Sequence, residues 1–474
     1  MFNLIGDLAD GLSRQMGAAQ SGLEEMLFEP VIRLGVTGLS RSGKTVFITS
    51  LVANLINQGR MSQVRAVADG RLEMAYLQPQ PNDSIARFAY EDHLAALTGP
   101  APHWPESTRS ISQLRVSLKV RPSGLLSGLS GPRTVHLDII DYPGEWLLDL
   151  PLLSQDYAAW SAAALSRAQS RASLAEGWLA QLEGSDPLAK LEEPTAQALA
   201  SAFTAHLRAA REAGFSDCAP GRFLMPGDLE GSPALTFAPL PKPAGKPRSN
   251  SLYAAFERRF ESYKRIVVKP FFRDHFSRLD RQIVLVDVLG AINAGPQAID
   301  DLRGAMADIL KTFKPGANSF LAPLLGTKVE RILFAATKAD HLHHTQHPQL
   351  TALVEALLAE ARARADYAGA RTKAISLAAL RATTEKEVQQ AGQTMSVVQG
   401  RLLESGKHAA LFAGDLPSDP AHLLAPARAG AQTWLDRDFS VMRFAPPVLT
   451  LAPGQGPPHI RLDRAVEFLI GDKI

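Results

Sequence analysis

The chain has 474 residues, 46% hydrophobic and 21% charged, which argues against a largely disordered protein and predicts two or more domains. Its 50 basic residues nearly balance 48 acidic ones, so no overall polyelectrolyte character and no nucleic-acid partner is expected. A single cysteine, Cys218, excludes an intrachain disulfide and a cysteine metal site and suits a reducing, cytoplasmic compartment.

At the N-terminus, Phe2, Ile5, Leu8, Leu12 and Met16 recur at helical spacing and predict an amphipathic helix over 2–20. Asp7 and Asp10 outnumber nearby bases, which favours packing on the protein itself over a membrane surface, with a docked partner as the alternative. No apolar run reaches about 18 residues, so no membrane-spanning helix is expected. The start also lacks the basic and apolar regions of a secretory signal.

The next segment, Val31–Thr37, is β-rich and leads into GLSRSGKT, residues 38–45. This satisfies G-x-x-x-x-G-K-[ST]. In that pattern, glycines let successive N–H groups face phosphate oxygens, and the following helix adds its positive end. Gly38, Ser40, Arg41, Ser42, Gly43, Lys44 and Thr45 are therefore the expected phosphate-binding residues. Lys44 reaches the β- and γ-phosphates, and the Thr45 hydroxyl ligates magnesium. From Val46 a helical pattern follows, with Gly59 as its expected cap.

The alternating run Gln113–Val120 predicts a strand near a sheet edge, and the denser Val135–Ile140 predicts a buried parallel strand. Just before the first of these stands WPESTRS, where Thr108 is the best-placed second magnesium ligand, with Ser107 and Ser110 as neighbours. Arg109 and Arg41 are candidate intramolecular arginine fingers. After the second strand comes DYPGE. An acid at a strand end, here Asp141, can hold magnesium through water, and the Gly144 N–H can reach a γ-phosphate. Glu145 then stands where Ras-like enzymes keep a water-orienting glutamine. A carboxylate there adds negative charge beside a γ-phosphate, so slow hydrolysis is expected unless an arginine or metal compensates.

A helical insertion is expected over 151–280, with helices around Tyr157–Leu182, from Pro194 through Leu207, and over about 251–279. Residues 239–250 read as an exposed linker. Ile283–Val288 and Ile332–Ala336 are further buried strands. TKAD, residues 337–340, follows the second of them and resembles the base-reading motif of Ras-like GTPases. In that motif the aspartate, here Asp340, accepts hydrogen bonds from guanine. The stem of the lysine, here Lys338, covers the base, and Thr337 opens the loop. Adenine offers no donors at those positions and leaves a buried carboxylate unsatisfied.

Among His341, His343, His344 and His347, the pair His343 and His347 has the i, i+4 spacing of a metal site, if helical, but an interaction surface or plain solvent exposure is the favoured reading. Lys373–Leu377 is a weaker strand, followed by Ala378 and Ala379 as a candidate base-backing loop. Beyond about Thr384 the chain alternates again and ends on a helical run at Leu462–Ile470, a small mixed extension.

GLSRSGKT, WPESTR, DYPGEWLLDLP, VVKPFFRDHFSRLDRQIVLVDVL, TKADHLHHTQH and PHIRLDRAVEFLIGDKI together resemble the YcjX-like family of bacterial stress-associated P-loop proteins, from about Leu34 to Ile474. The resemblance implies GTP binding by a Ras-like domain with a helical insertion. It also implies a place in bacterial stress responses and partner proteins at the inner membrane. Such proteins have also been called ATPases, so the choice of base rests on residues 337–340.

The expected fold is α/β, a Ras-like P-loop NTPase domain with a mostly parallel sheet of about six strands. Its expected divisions are 1–30, an N-terminal amphipathic helix; 31–150 and 281–385, the two parts of the P-loop domain; 151–280, the helical insertion; and 386–474, the α+β extension. The expected activity is magnesium-dependent hydrolysis of GTP to GDP and phosphate, used as a switch. The alternatives are an ATPase with the same phosphate site, or a nucleotide-gated scaffold with negligible turnover; a protein partner is expected to bind through the helical insertion or the N-terminal helix.

Overall fold

The structure is a computed structural model that describes residues 29–39, 41–106, 110–123, 131–311, 329–367, 369–390, 392–431, 433–434 and 439–474. The expected N-terminal helix, Ser40, Ser107, Thr108 and Arg109 lie outside these residues.

Dense apolar runs form the middle of one large sheet. β1 (Val31–Gly38) pairs in parallel with β5 (Arg133–Asp141) and β6 (Arg281–Val286). β7 (Arg331–Ala336) and β8 (Arg371–Ser376) extend the parallel side. β4 (Ser112–Val120) is antiparallel to β5 and to β2 (Leu72–Gln78), giving the order β2-β4-β5-β1-β6-β7-β8. The two residues of β3 (Ala86–Arg87) pair with β4, so among the described residues the sheet has eight strands, two beyond the expected core of about six. β2 escapes pattern reading because a register shift between Leu72 and Met74 breaks its alternation, leaving Leu72 and Ala75 as its buried positions.

Central strands feed both faces. Ile283, Leu285, Leu333 and Ala335 point to the core under α1 (Lys44–Asn57) and the C-terminal helix Leu462–Ile470. Val284, Val286, Ile332 and Phe334 point the other way. This explains why β6 and β7 read as unbroken apolar runs. β6 begins and ends two residues earlier than its apolar run suggests, because Asp287 caps the following helix, Val288–Ala294, by accepting from Gly290 N at 3.0 Å. The αL residue that ends α1 is Gln58, not Gly59.

Between β5 and β6 the chain forms α2 (Tyr157–Ser170), α3 (Ala172–Glu183), α4 (Glu193–Glu212) and α5 (Leu252–Tyr263). A π-helical stretch at Lys264–Val268 runs directly from α5 into Lys269–Asp274, so one long helix with a local bulge continues to Asp274, five residues short of the expected end. The aromatic centre of this segment, Trp160, Phe203, Phe237 and Phe260, belongs to the same apolar cluster as one face of the sheet. Within the expected linker, Pro239 and Leu240 are buried, and Ser161 Oγ donates to Leu240 O at 2.5 Å.

After β8, a three-stranded antiparallel sheet forms from β9 (Thr383–Gln390), β10 (Gln393–Arg401) and β11 (His408–Leu411). Among the described residues, no helix is long and apolar enough to cross a membrane.

Candidate functional site

The phosphate loop sits where the strand-to-helix turn leaves the sheet. Gly43 adopts φ 83°, a left-handed conformation open to glycine, and this aims the start of α1 into a cleft. The helix has no side-chain N-cap and no acid in its first turn, so its N-terminal amides and dipole face that cleft unmasked. Lys44 Nζ donates to Gly38 O at 3.1 Å and thereby lies back over the loop. Ser42 Oγ is buried and makes no hydrogen bond among the described residues. Arg41 and Lys338, both non-glycine residues near φ 60°, turn the two loops on either side.

Asp141 ends β5 directly beside β1, in register with Val36, and is buried. Beyond it the backbone passes close under the phosphate loop. A Cβ on Gly144 would lie 1.8 Å from Gly38 O and 3.1 Å from Leu39 Cα, so the two loops touch through backbone alone. Glu145 follows, 7% exposed, with Oε1 3.5 Å from Arg211 Nη1 at the end of α4.

The rest of this segment, Gly144–Ser154, is fastened to the helices of 151–280. Trp146 Nε1 donates to Met225 O at 3.0 Å, and Arg222 lies over the Trp146 ring. Asp149 accepts from Gly221 N and from the Tyr263 hydroxyl, both at 2.7 Å. Burial nevertheless pushes its pKa up to about 7, against those hydrogen bonds.

The second loop of the cleft comes from β7. Thr337 N donates to Val286 O at 2.9 Å, and Ala339 N to Leu377 O at 3.1 Å, which ties the loop to neighbouring strands. Lys338 pairs with Asp287. Asp340 is 4% exposed; its Oδ2 accepts from Ala382 N at 2.8 Å, and its carbonyl accepts from the Thr383 hydroxyl. A carboxylate has about four lone-pair sites, so one backbone donor orients Asp340 without exhausting it.

One cleft of about 370 Å³ is lined by Arg41, Ser42, Gly43, Lys44, Thr45, Glu145, Thr337, Lys338, Asp340, Ala378 and Ala379. The structure thus brings together most described residues singled out from sequence. It adds Trp104, Leu403, Arg443 and Phe444, which the sequence reading missed. Trp104 Nε1 donates to Phe444 O at 2.8 Å, joining the segment before β4 to the C-terminal strap. Trp104 opens the WPESTR motif, but nothing in that motif or in the aromatic type of Phe444 points to their pairing.

The histidines do not converge as spaced. His347 begins the helix His347–Leu357, and its Nε2 lies 2.8 Å from Ala339 O of the 337–340 loop. His343 and His344 instead face Glu385 of β9, at 3.7 and 2.7 Å. Arg381 is 3.6 Å from the same carboxylate, which already balances its charge. The turn His344–Gln346 separates His343 from the helix, so the i, i+4 face is not formed.

Oxygen donors at Thr45 and Asp141, a hydroxyl and a buried carboxylate beside the phosphate loop, are the hard ligands that magnesium takes, so the residues fit that ion.

Comparison with known proteins agrees with this architecture. The model of the YcjX-like family, DUF463, matches residues 32–474. A protein of Escherichia coli (strain K12) named Ras-like GTPase YcjX is 38% identical over 457 residues, covering 94% of this chain and 96% of that protein. A protein of the same name from Shewanella oneidensis is 36% identical over 467 residues, covering 94% of each.

Proposed function

This chain belongs to the YcjX-like family, and from that premise we propose that it binds GTP in the cleft between the 38–45 and 337–340 loops and hydrolyses it to GDP and phosphate. The observation that carries the reading is the placement of a buried carboxylate, Asp340, in the same cleft as Lys44. One end of the cleft is built for phosphate and the other for a base that donates hydrogen bonds.

In this reading Lys44 and the amides at the start of α1 take up the negative charge of the triphosphate, and the close pass of Gly144 brings its N–H to the γ-phosphate end. Thr45 and Asp141, with Thr108 outside the described residues, would hold magnesium, which when bound neutralises charge developing on the phosphate oxygens. Glu145 orients the attacking water, and Arg109 or Arg41 is a candidate to meet charge in the transition state. Asp340 reads guanine, while Lys338, held by Asp287, flanks the base. Of the two alanines, Ala378 has its N–H committed to Ile460 O at 3.1 Å, so Ala379 is the one to offer backbone to the base.

Titration with GTP, GDP and ATP, together with phosphate release, tests the proposal. Preference for guanine nucleotides with slow turnover supports it. Equal affinity for ATP moves the activity to an ATPase, and tight GTP binding without phosphate release moves it to a scaffold. We also place the protein in a bacterial stress pathway at the cytoplasmic face of the inner membrane. Cell fractionation checks this: recovery with the membrane supports the placement, and recovery only in the soluble fraction counts against it.

A further inference from the structure

Resting on the GTP reading of the cleft, we propose that Arg211 is a positioning residue that neutralises Glu145, so that a carboxylate can occupy the γ-phosphate end of the site. Glu145 directly follows the glycine that touches the phosphate loop, and it is nearly buried. Unit charges about 5 Å apart at an effective dielectric of about 20 repel enough to change an equilibrium by about two orders of magnitude. A bare Glu145 would therefore oppose a triphosphate far more than a diphosphate.

Arg211 answers that charge from outside the nucleotide-binding loops. It lies in the last turn of α4, 66 residues further along the chain, with Nη1 3.5 Å from Glu145 Oε1. Both side chains line a second space of about 370 Å³ between the phosphate loop and the helical segment, which Arg41, Ser42 and Lys338 also border. Lys338 is already paired with Asp287. At 3.5 Å the contact is at the outer limit of a hydrogen bond but within ion-pair distance, so Arg211 acts on Glu145 chiefly through its charge.

Two packing contacts, one of backbone and one of a side chain, hold the pair in place. A Cβ on Gly221 would lie 1.7 Å from Glu145 O, so the helical segment abuts the glutamate backbone directly. Trp146, the next residue, is clamped by Met225 and Arg222. The helical segment thus grips both the backbone and the charge of Glu145, and it is the element through which the γ-phosphate end is tuned.

The test compares a non-hydrolysable GTP analogue with GDP in competition titrations on wild type, Arg211→Ala, Arg211→Lys, Glu145→Gln and the Arg211→Ala/Glu145→Gln double variant. Arg211→Ala should weaken the triphosphate relative to GDP by about tenfold or more and lower kcat, while GDP affinity is unchanged. Arg211→Lys should recover most of the loss, and Glu145→Gln should restore the ratio in the Arg211→Ala background by removing the charge. A merely structural arginine would instead lower thermal stability and weaken both nucleotides equally, with no rescue by Glu145→Gln. If Arg211→Ala does not fold, Arg211→Gln keeps the stem and carries the same comparison. An unchanged ratio in Arg211→Ala or Arg211→Gln, or no rescue by Glu145→Gln, overturns the inference alone. A wild type that binds neither nucleotide overturns the GTP reading and the inference with it.

Discussion

Substituting Gly144 by alanine tests how closely the loop after β5 and the phosphate loop are built together. The added Cβ would meet Gly38 O at 1.8 Å and Gly38 C at 2.7 Å, whereas real Cβ contacts essentially never fall under 3.0 Å. The carbonyl, or the whole 143–146 turn, must therefore retreat by at least about 1.2 Å. Both partners are backbone, so no rotamer change can absorb the clash. Overpacking of this kind costs about 1–3 kcal/mol. At about 2–4 °C per kcal/mol for a domain of about 150–250 residues, the melting temperature should fall by several degrees.

Function should suffer through the same atom, because Gly38 O is the acceptor for Lys44 Nζ at 3.1 Å. Moving that carbonyl shifts the lysine, and GTP affinity should fall by about tenfold or more. Gly177→Ala is the matched comparison. It lies on helix α3 with nothing within 4 Å of the added Cβ, and should be neutral or stabilise by about 0.5–1 kcal/mol. Thermal melts and calorimetric titrations on both variants decide the matter. A Gly144→Ala protein with wild-type melting temperature and wild-type GTP affinity would refute the close backbone contact and the role built on it.

Three further outcomes follow from the site. Lys44→Ala should abolish measurable nucleotide binding, since the backbone amides replace its charge only in part; calorimetry showing unchanged GTP affinity would remove the phosphate-site assignment. Asp340→Asn should lower GTP affinity and raise that for xanthosine triphosphate, whose C2 oxygen accepts from an amide; competition titrations in which neither nucleotide changes would show that Asp340 does not read the base. Asp149, raised to about 7 by burial, takes up a proton on folding at mildly acidic pH. Its contribution to stability is thus fully present below about pH 4 and lost as pH rises through about 7, an effect of up to about 4 kcal/mol. Asp149→Asn, which keeps an acceptor for Gly221 N and a donor for Tyr263, should flatten the melting temperature between about pH 4 and 7. An equally steep profile in the variant would assign that pH dependence to other groups.

Sequence alone determined what lies in contiguous stretches. The phosphate loop is legible because eight consecutive residues carry the turn glycines, the lysine and the hydroxyl, between a strand and a helix that they themselves help to define. The 337–340 loop is legible for the same reason, since it directly follows β7. Central strands were visible because burial on both faces leaves unbroken apolar runs, and the helical segment because its aromatic residues repeat at helical spacing.

Tertiary structure alone decided everything that joins distant stretches. β2 follows no simple alternation, since its bulge and its edge position relax the burial that would impose one. The i, i+4 spacing of His343 and His347 had no helix to display it, and His344 took the partner instead. Trp104 meets Phe444 across 340 positions, and Arg211 meets Glu145 across 66, with no local pattern to mark either pair. The sequence posed the problem of a glutamate directly after the glycine that abuts the 38–45 loop. Its answer needed packing, because a charge on one helix compensates another only when the fold sets the distance between them.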